Sequence, residues 1–272
     1  MMNFSPFASS LELLENAKAR IDDLDRALDE FSRSEPYSNH IEVHAPSGYQ
    51  CAKIRQNKPI PQAAKFAARD AFHDLRGALD HAGYACTCRS NKPDRKGGFP
   101  FSKTKAHFSA AATNTGRDLP TEIRELMKSY RGYGDEDGDK LLYALNEVRN
   151  INDHRFLAPF GVVSGSSQSS VKIQITPEKM AALQNDGGRK VLLNPQFNPL
   201  PIMDPQTNEM LLAIWDERLH DTPQFEVNLH VGLGEIGVLW RHHPLVVLRT
   251  LVPKVATILS EVETEARRIG LF

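Results

Sequence analysis

The segment that decides the fold of this chain is PQAAKFAARDAFHDLRGALDHAGYAC, residues 61–86. Residues three and four apart lie on the same face of an α-helix, and proline is favoured in a first helical turn. The apolar positions of the segment follow this spacing at Phe72, Leu75, Leu79, Ala82 and Cys86. The segment therefore predicts a long helix that begins near Pro61, runs to about Cys86 and buries one stripe.

Two more segments have the pattern of long helices that bury one face. Residues 11–31 follow a capping-box pair, Ser9 and Glu12, and residues 244–269 contain Pro253, which predicts a kink. Apolar residues recur along both segments at helical spacing: Leu11, Leu14, Ala17, Ile21, Leu24, Leu28 and Phe31, then Leu245, Leu248, Val252, Val255, Leu259 and Val262. We expect the C-terminal helix, about residues 244–270, to return to the helical bundle.

The middle of the chain is more polar. Phe99-Pro100-Phe101 and Phe108 provide apolar anchors beyond a polar stretch, and they predict a packed irregular segment. A short helix is expected over about residues 120–130. Another helix is expected from about Lys140, because the acidic residues before it favour a helix start.

Strand signals occur in two places. Ile41 and Val43 alternate with polar residues, and Pro46-Ser47-Gly48 has the composition of a turn, so residues 37–60 predict a hairpin. After Arg155 the pattern is mainly strand, at residues 171–175, 191–193, 210–215 and 225–231.

These patterns predict an α+β fold in which a bundle of long helices is combined with an antiparallel β-sheet. The chain is expected to be one domain over residues 1–272, with a helical part at about 8–158 and a β section at about 159–234.

Composition favours a globular protein and limits its partners. With 272 residues and 40% apolar content, the chain can bury a sizeable core. The formal net charge is −1, so no global field attracts nucleic acid or an anionic membrane, and any RNA contact must be local. No stretch approaches about eighteen uninterrupted apolar residues, and residues 1–10 lack the pattern of an export signal. We therefore expect no membrane contact and a cytoplasmic location.

Neither a metal nor a cofactor is expected. Cys51, Cys86 and Cys88 are an odd number at no disulfide or zinc spacing, which fits a reducing compartment. A calcium loop starting at Asp135 would need glycine at its sixth position, where the chain has Lys140. The sequence GLGEIG at residues 232–237 matches the dinucleotide fingerprint, but the chain leaves no room there for a full βαβαβ unit.

The chemically most informative stretch is LNEVRNINDHR, residues 145–155, which sets Arg149, Asn150 and His154 within two helical turns. Arginine can hold a phosphate through a planar fork of donors, and histidine can move a proton near neutral pH. Together these groups could cleave RNA without a metal, so they are the candidate catalytic residues. On an ideal helix Arg149 and His154 lie about 140° apart, so they would share a site only at a helix end, in a cleft or across a dimer interface.

A structural interpretation of these residues stays open. Asn150 and His154 share a helix face with Glu147. Arg149 could pair with Asp153, and His154 could bond Glu147 or a carbonyl at the helix end.

A second group of polar residues lies on the long central helix. His73, Arg76 and Asp80 fall on one flank of its apolar stripe, and Arg76 is expected to pair with Asp80, four residues away. Such residues could orient His154 or bind a phosphate, or they could form a purely structural ion pair. The candidate positioning or binding residues are His73, Arg76, Asp80, His81, Glu147 and Arg155.

Three blocks of the chain resemble a widespread group of uncharacterised bacterial proteins, which carry them in the same order. The blocks are Leu75-Arg76-Gly77-Ala78-Leu79-Asp80-His81, Phe99-Pro100-Phe101 and Asn150-Ile151-Asn152-Asp153-His154-Arg155. The resemblance covers roughly the middle of the chain, and it implies a shared fold and a cluster of residues more than a reaction.

More loosely, Arg149-Asn150 followed by His154 resembles the motif of HEPN domains, helical bundles that often act as metal-independent ribonucleases in toxin and antiphage systems. This resemblance implies a HEPN-like homodimer that cuts RNA in a cleft faced by two copies of the motif. His154 would act as general acid/base, Arg149 would stabilise charge on the phosphate, and Asn150 would orient the histidine or bond the phosphate.

The competing hypothesis is a non-catalytic binding or scaffold module. In that case the polar cluster fastens helices together, and the β section binds a protein partner or a small ligand. The near-neutral charge and the lack of a basic stripe in the sequence favour this hypothesis.

Overall fold

The structure is a computed structural model of the chain, and it describes residues 5–44, 49–88, 94–154, 160–164, 170–172, 203–204, 206–215, 224–226, 229–233, 239 and 242–272. The chain divides into two compact units. The helical unit comprises Met1–Asp29, Pro61–Pro159 and Leu233–Phe272, and the sheet unit comprises Glu30–Ile60 and Phe160–Gly232. The expectation of one domain over residues 1–272 stays a prediction.

The described residues form six helices and seven strands, which confirms the α+β class. The helices are α1 (Ala8–Arg33), α2 (Gln62–Ala85), α3 (Lys105–Thr115), α4 (Thr121–Ser129), α5 (Lys140–His154) and α6 (Pro244–Arg268). The strands are β1 (Tyr37–His44), β2 (Tyr49–Gln56), β3 (Phe160–Ser164), β4 (Ser170–Lys172), β5 (Glu209–Trp215), β6 (Gln224–Glu226) and β7 (Leu229–Leu233). Among the described helices, none combines the length and the apolar character needed to cross a membrane.

Helix α1 buries most of its predicted stripe but begins earlier than the capping pattern indicated. Its buried residues are Leu14, Ala17, Ile21, Leu24, Leu28 and Phe31. Leu11 is exposed. The helix starts at Ala8, where the Ser5 hydroxyl accepts the N–H of Phe7 at 3.3 Å. The prediction that Ser9 caps the helix is therefore wrong, because the chain enters the helix through Ser5 and the buried Phe7.

Helix α2 is the centre of the helical unit and packs against α5 and α6. It starts directly after Pro61, and all five residues of its predicted stripe are buried. Near its C-terminal end, a Cβ atom at Gly83 would lie only 1.9 Å from the carbonyl oxygen of Gly97. Glycine at position 83 thus lets the segment at residues 94–101 lie directly against α2.

The segment after residue 101 contains a helix that the sequence pattern did not reveal. Phe108 lies in α3, so the prediction that it anchors an irregular segment is wrong. Only Phe108 and Ala112 of this helix are buried, and two buried positions make a weak periodic signal. The Phe108 ring packs on Tyr133, with ring centres 4.9 Å apart. Residues 95–101, in contrast, are irregular as predicted, and Phe99 is buried.

The C-terminal helix and the later strands follow the predictions where they are described. Helix α6 contains Pro253 in its interior, and its predicted stripe is buried except at the half-buried Val252. The strand expected at 210–215 is β5, and those expected at 171–175 and 225–231 are described in part, as β4, β6 and β7. The run at 191–193 lies outside the described residues.

The sheet unit is built on an antiparallel three-stranded sheet in the order β1-β2-β5. Strands β1 and β2 pair from Tyr37 opposite Gln56 to His44 opposite Tyr49, which confirms the predicted hairpin. Successive side chains of a strand point to opposite faces, so β2 buries Ile54 on one face and presents charged residues on the other. Two further pairs, β3 with β7 and β4 with β6, belong to smaller two-stranded sheets.

Candidate functional site

Polar side chains of α2 and α5 meet beside residues 97–101 in what we call the arginine–aspartate cluster. It consists of Arg76 and Asp80 of α2, Asn146 and Arg149 of α5, and the backbone of Phe99. Residues three or four apart share a helix face, so each helix contributes a pair of neighbouring side chains. The packing of α2 against α5 brings the two pairs together.

Arg76 is the buried centre of the cluster, with 6% of its surface exposed. Its Nη1 forms the predicted ion pair with Asp80, and its Nε donates to Asn146 Oδ1 at 3.4 Å. Its Nη2 lies 3.5 Å from the carbonyl oxygen of Phe99, and its guanidinium carbon lies 4.3 Å from the centre of the Phe101 ring. Burial lowers the pKa of Arg76, and the negative charge of Asp80 raises it in part. An arginine nevertheless stays protonated at neutral pH.

Asp80 receives donors on both carboxylate oxygens. Its Oδ1 pairs with Arg76 and accepts the N–H of Phe99 at 3.0 Å. Its Oδ2 accepts Arg149 Nη1 at 3.3 Å. One carboxylate therefore joins α2, α5 and the irregular segment after Gly98.

The candidate catalytic arginine is a member of this cluster. The side chain of Arg149 is 34% exposed and pairs with Asp80, which belongs to a different helix. The sequence had predicted Asp153 as a possible partner of Arg149, and the side chain of Asp153 lies outside the described residues. Arg149 thus helps to hold α5 against α2.

The other candidate catalytic residues lie near the end of α5. This helix ends at His154, so Arg149 and His154 occupy its last two turns. Asn150 is exposed. The side chain of His154 and all of Arg155 lie outside the described residues.

Two predicted positioning residues have local partners. His73 is exposed and next to Asp74, whose pKa is raised by burial and lowered by that histidine, with burial the larger effect. Glu147 accepts the hydroxyl of Tyr143 at 2.9 Å. Burial, together with Glu147, raises the pKa of Tyr143 to about 12. His73 thus influences a neighbour on α2, and Glu147 bonds a neighbour on α5.

A cavity of about 750 Å³ opens beside the cluster, and Asp80 forms part of its wall. This α2–α3 cavity is bounded by the start of α1, the C-terminal half of α2, residues 95–98 and the end of α3. The predicted residue His81 also lines it, with Nδ1 3.2 Å from the hydroxyl of Ser9. The structure therefore brings Arg76, Asp80 and Arg149 together and places His81 on the adjoining cavity.

Asn146 belongs to the cluster and Phe101 contacts it, but neither was predicted as a site residue. Asn146 lies three residues before Arg149, so helical spacing could have placed it on the same face. Phe101 was expected only as an apolar anchor, and its contact with Arg76 comes from tertiary packing.

No family model, curated protein or solved structure matches this chain. Within the described residues, no group of three His, Cys, Asp or Glu side chains is arranged to hold a metal ion. Fold and site together define an α+β protein whose helical unit holds an arginine–aspartate cluster, centred on the buried Arg76, beside a cavity.

Proposed function

We propose that this chain is a non-catalytic binding module, in which the arginine–aspartate cluster fixes the packing of α2, α5 and residues 97–101. A small ligand enters the α2–α3 cavity beside the cluster. The observation that carries the proposal is the engagement of both Asp80 oxygens, by Arg76 and Phe99 on one side and by Arg149 on the other. A carboxylate with donors on both oxygens suits a fastening role, because hydrogen bonds to an ionised group are shorter and stronger than neutral ones.

The burial of Arg76 supports a fastening role as well. With 6% of its surface exposed, Arg76 cannot reach a phosphate unless the helices open. A buried guanidinium is tolerated only when it is paired and hydrogen-bonded, and Asp80 supplies that pairing. The cluster therefore stabilises one wall of the cavity.

The test separates fastening from catalysis by comparing the parent with Arg149→Ala and His154→Ala. Each protein is incubated with mixed RNA in excess EDTA, fragments ending in a cyclic phosphate are measured, and thermal unfolding is recorded. Arg26→Ala, which removes an exposed arginine from α1, is the matched control. We expect no cleavage by the parent and a lower unfolding temperature for Arg149→Ala. Cleavage that both site variants abolish at unchanged unfolding temperature would overturn the proposal.

The second candidate function is metal-independent RNA cleavage of the HEPN type. It is favoured by the position of Arg149 and His154 in the last two turns of α5, where residues on different faces can approach one site. In this alternative His154 transfers the proton, Arg149 exchanges Asp80 for a phosphate, and Asn150 orients the histidine. The active form would be a homodimer, which light scattering would reveal. EDTA-resistant cleavage that both Arg149→Ala and His154→Ala abolish at unchanged unfolding temperature would establish this function in place of the first.

We also infer a cytoplasmic location. Cys51, Cys86 and Cys88 are free thiols, and free thiols are typical of reducing compartments. Fractionation of cells that express the chain tests this, and recovery in an oxidising compartment would contradict it.

A further inference from the structure

The α2–α3 cavity has the size of a small-ligand site. Its volume of about 750 Å³ lies within the roughly 300–1,000 Å³ of typical ligand pockets. Its walls come from three helices and residues 95–98, all within the helical unit. The cavity is open to solvent, and its volume is sufficient for a molecule about as large as a mononucleotide.

The described wall of this cavity carries an excess of positive charge. Arg95 and Lys96 are adjacent on one edge. Asp80 is the acidic residue among the described wall residues, and its carboxylate is already paired with Arg76 and Arg149. The charge balance therefore favours an anionic ligand.

Arg95 is held in position without a ligand. Its guanidinium carbon lies 5.0 Å from the centre of the Tyr84 ring, and its Nη2 donates to the Tyr84 hydroxyl at 3.2 Å. Its Nη1 donates to the carbonyl of Thr87 at 3.4 Å. A guanidinium that is already oriented loses less conformational freedom when it binds a phosphate.

The backbone on either side of Lys96 is fixed as well. The N–H of Lys96 donates to Asp118 Oδ2 at 2.9 Å, and its carbonyl accepts the N–H of Asp118 at 3.1 Å. The N–H of Gly98 donates to the carbonyl of Thr115 at 3.1 Å, and a Cβ at Gly98 would lie 2.7 Å from Thr115 Cγ2. Residues 95–98 therefore lie tightly against the end of α3, and Arg95 and Lys96 line one edge of the cavity.

The rest of the wall offers neutral polar groups and an aromatic surface. Ser9 and His81 form one polar pair, and Asn114 and Thr115 contribute an amide and a hydroxyl. Tyr84 is 48% exposed, and its ring adds an aromatic surface beside the guanidinium of Arg95. Such groups recognise the hydroxyls of a sugar and the plane of a ring, while charged groups recognise phosphate.

We propose that the α2–α3 cavity binds a small phosphorylated ligand of mononucleotide size, whose phosphate is held by Arg95 and Lys96. This inference rests on the binding-module proposal and adds the ligand class. The sugar or base faces Ser9, His81 and Asn114.

Calorimetric titration of the full chain tests the inference. The probes are the four ribonucleoside 5′-monophosphates and ribose 5-phosphate, with adenosine and inorganic phosphate as comparisons. We expect at least one phosphorylated probe to bind with Kd below about 1 mM, and adenosine to bind at least about tenfold more weakly than AMP if AMP is bound. If ribose 5-phosphate or a nucleotide binds more tightly than inorganic phosphate, the ligand is a phosphorylated metabolite. If all of them bind equally, only the phosphate group is recognised, which overturns the proposed ligand size.

The variant Arg95→Gln/Lys96→Gln should weaken binding of the best probe by about tenfold or more. Lys18→Gln/Arg26→Gln removes two exposed cations from α1 and is the matched control, which should bind as the parent does. Circular dichroism checks that both variants are folded. If Arg95→Gln/Lys96→Gln is not folded, the single variant Arg95→Lys replaces it. Binding of no phosphorylated probe, or binding that the cavity variant leaves unchanged, overturns the inference. Neither result affects the proposal of a non-catalytic module, which EDTA-resistant RNA cleavage abolished by both Arg149→Ala and His154→Ala at unchanged unfolding temperature would overturn instead.

Discussion

The arginine–aspartate cluster of the helical unit and a charged cluster on the three-stranded sheet share one design, a carboxylate between two cations. On the sheet, Glu209 of β5 pairs with Lys53 at 3.0 Å and with Arg55 at 2.9 Å, both of β2. The clusters differ in whether one cation is buried. The side chain of Arg76 is 7% exposed, whereas those of Lys53 and Arg55 are 22% and 43% exposed. Arg149, at 34%, is about as accessible as the cations of the sheet.

This difference in burial decides how much each cluster matters. A solvent-exposed ion pair contributes about 0–1 kcal/mol, because water already solvates both charges and salt screens them. A buried charge that loses its partner costs about 3–5 kcal/mol, because no water replaces the partner. We therefore expect the loss of the carboxylate to cost more between α2 and α5, where it leaves the buried Arg76 unpaired, than on the face of the sheet.

The largest expected effect comes from Asp80→Ala, which leaves the buried Arg76 without its carboxylate. We expect the free energy of unfolding to fall by about 3–5 kcal/mol, measured by urea denaturation. Arg76→Met/Asp80→Leu removes both charges and should be less destabilised than Asp80→Ala. A loss below about 1 kcal/mol in Asp80→Ala would show that burial does not distinguish the two clusters.

A smaller effect is expected from Arg149→Ala. Asp80 keeps its pair with Arg76 and the N–H of Phe99, and Arg149 is partly exposed, so the loss should be about 1–2 kcal/mol. Urea denaturation of the single variants and of Asp80→Ala/Arg149→Ala gives the coupling energy. Fully additive effects would contradict a direct interaction between Asp80 and Arg149.

Glu209→Ala makes the corresponding change on the sheet and should cost about 1 kcal/mol or less. The cations left behind, Lys53 and Arg55, remain partly accessible to water, and Lys53 keeps its contact with Glu42. Amide hydrogen exchange of β2 and β5 measures the change locally. A loss as large as that of Asp80→Ala would remove the contrast between the clusters.

The smallest expected effect is on the loss of stability at acidic pH. Hydrogen bonds from Arg55 and Lys53 lower the pKa of Glu209 in the folded chain. Its contribution to stability is therefore present above its ordinary pKa of about 4.3 and disappears as pH falls through the lower, folded value. Between about pH 6 and pH 3, Glu209→Gln should lose slightly less stability than the parent in urea denaturation. An equal or steeper loss in Glu209→Gln would show that the carboxylate does not contribute in this way.

Local patterns were sufficient for the elements that bury a long regular stripe. Three long helices, α1, α2 and α6, were predicted because many apolar residues repeat at helical spacing in each. The hairpin was predicted because apolar and polar residues alternate on one side of a turn sequence. Helix α3 was missed because it buries only Phe108 and Ala112. Ser9 was misread as a cap because a capping pattern does not specify where the preceding chain, here Phe7, is buried.

The sequence by itself determined the pairing of Arg76 with Asp80, since four residues on a helix place two side chains side by side. Only the tertiary structure decided that Arg149 pairs with Asp80, that Phe101 covers Arg76, and that a cavity opens beside them. The physical reason is that helical spacing is a property of neighbouring residues. Which helices pack together depends on the shapes of whole buried faces, and no local pattern contains that information.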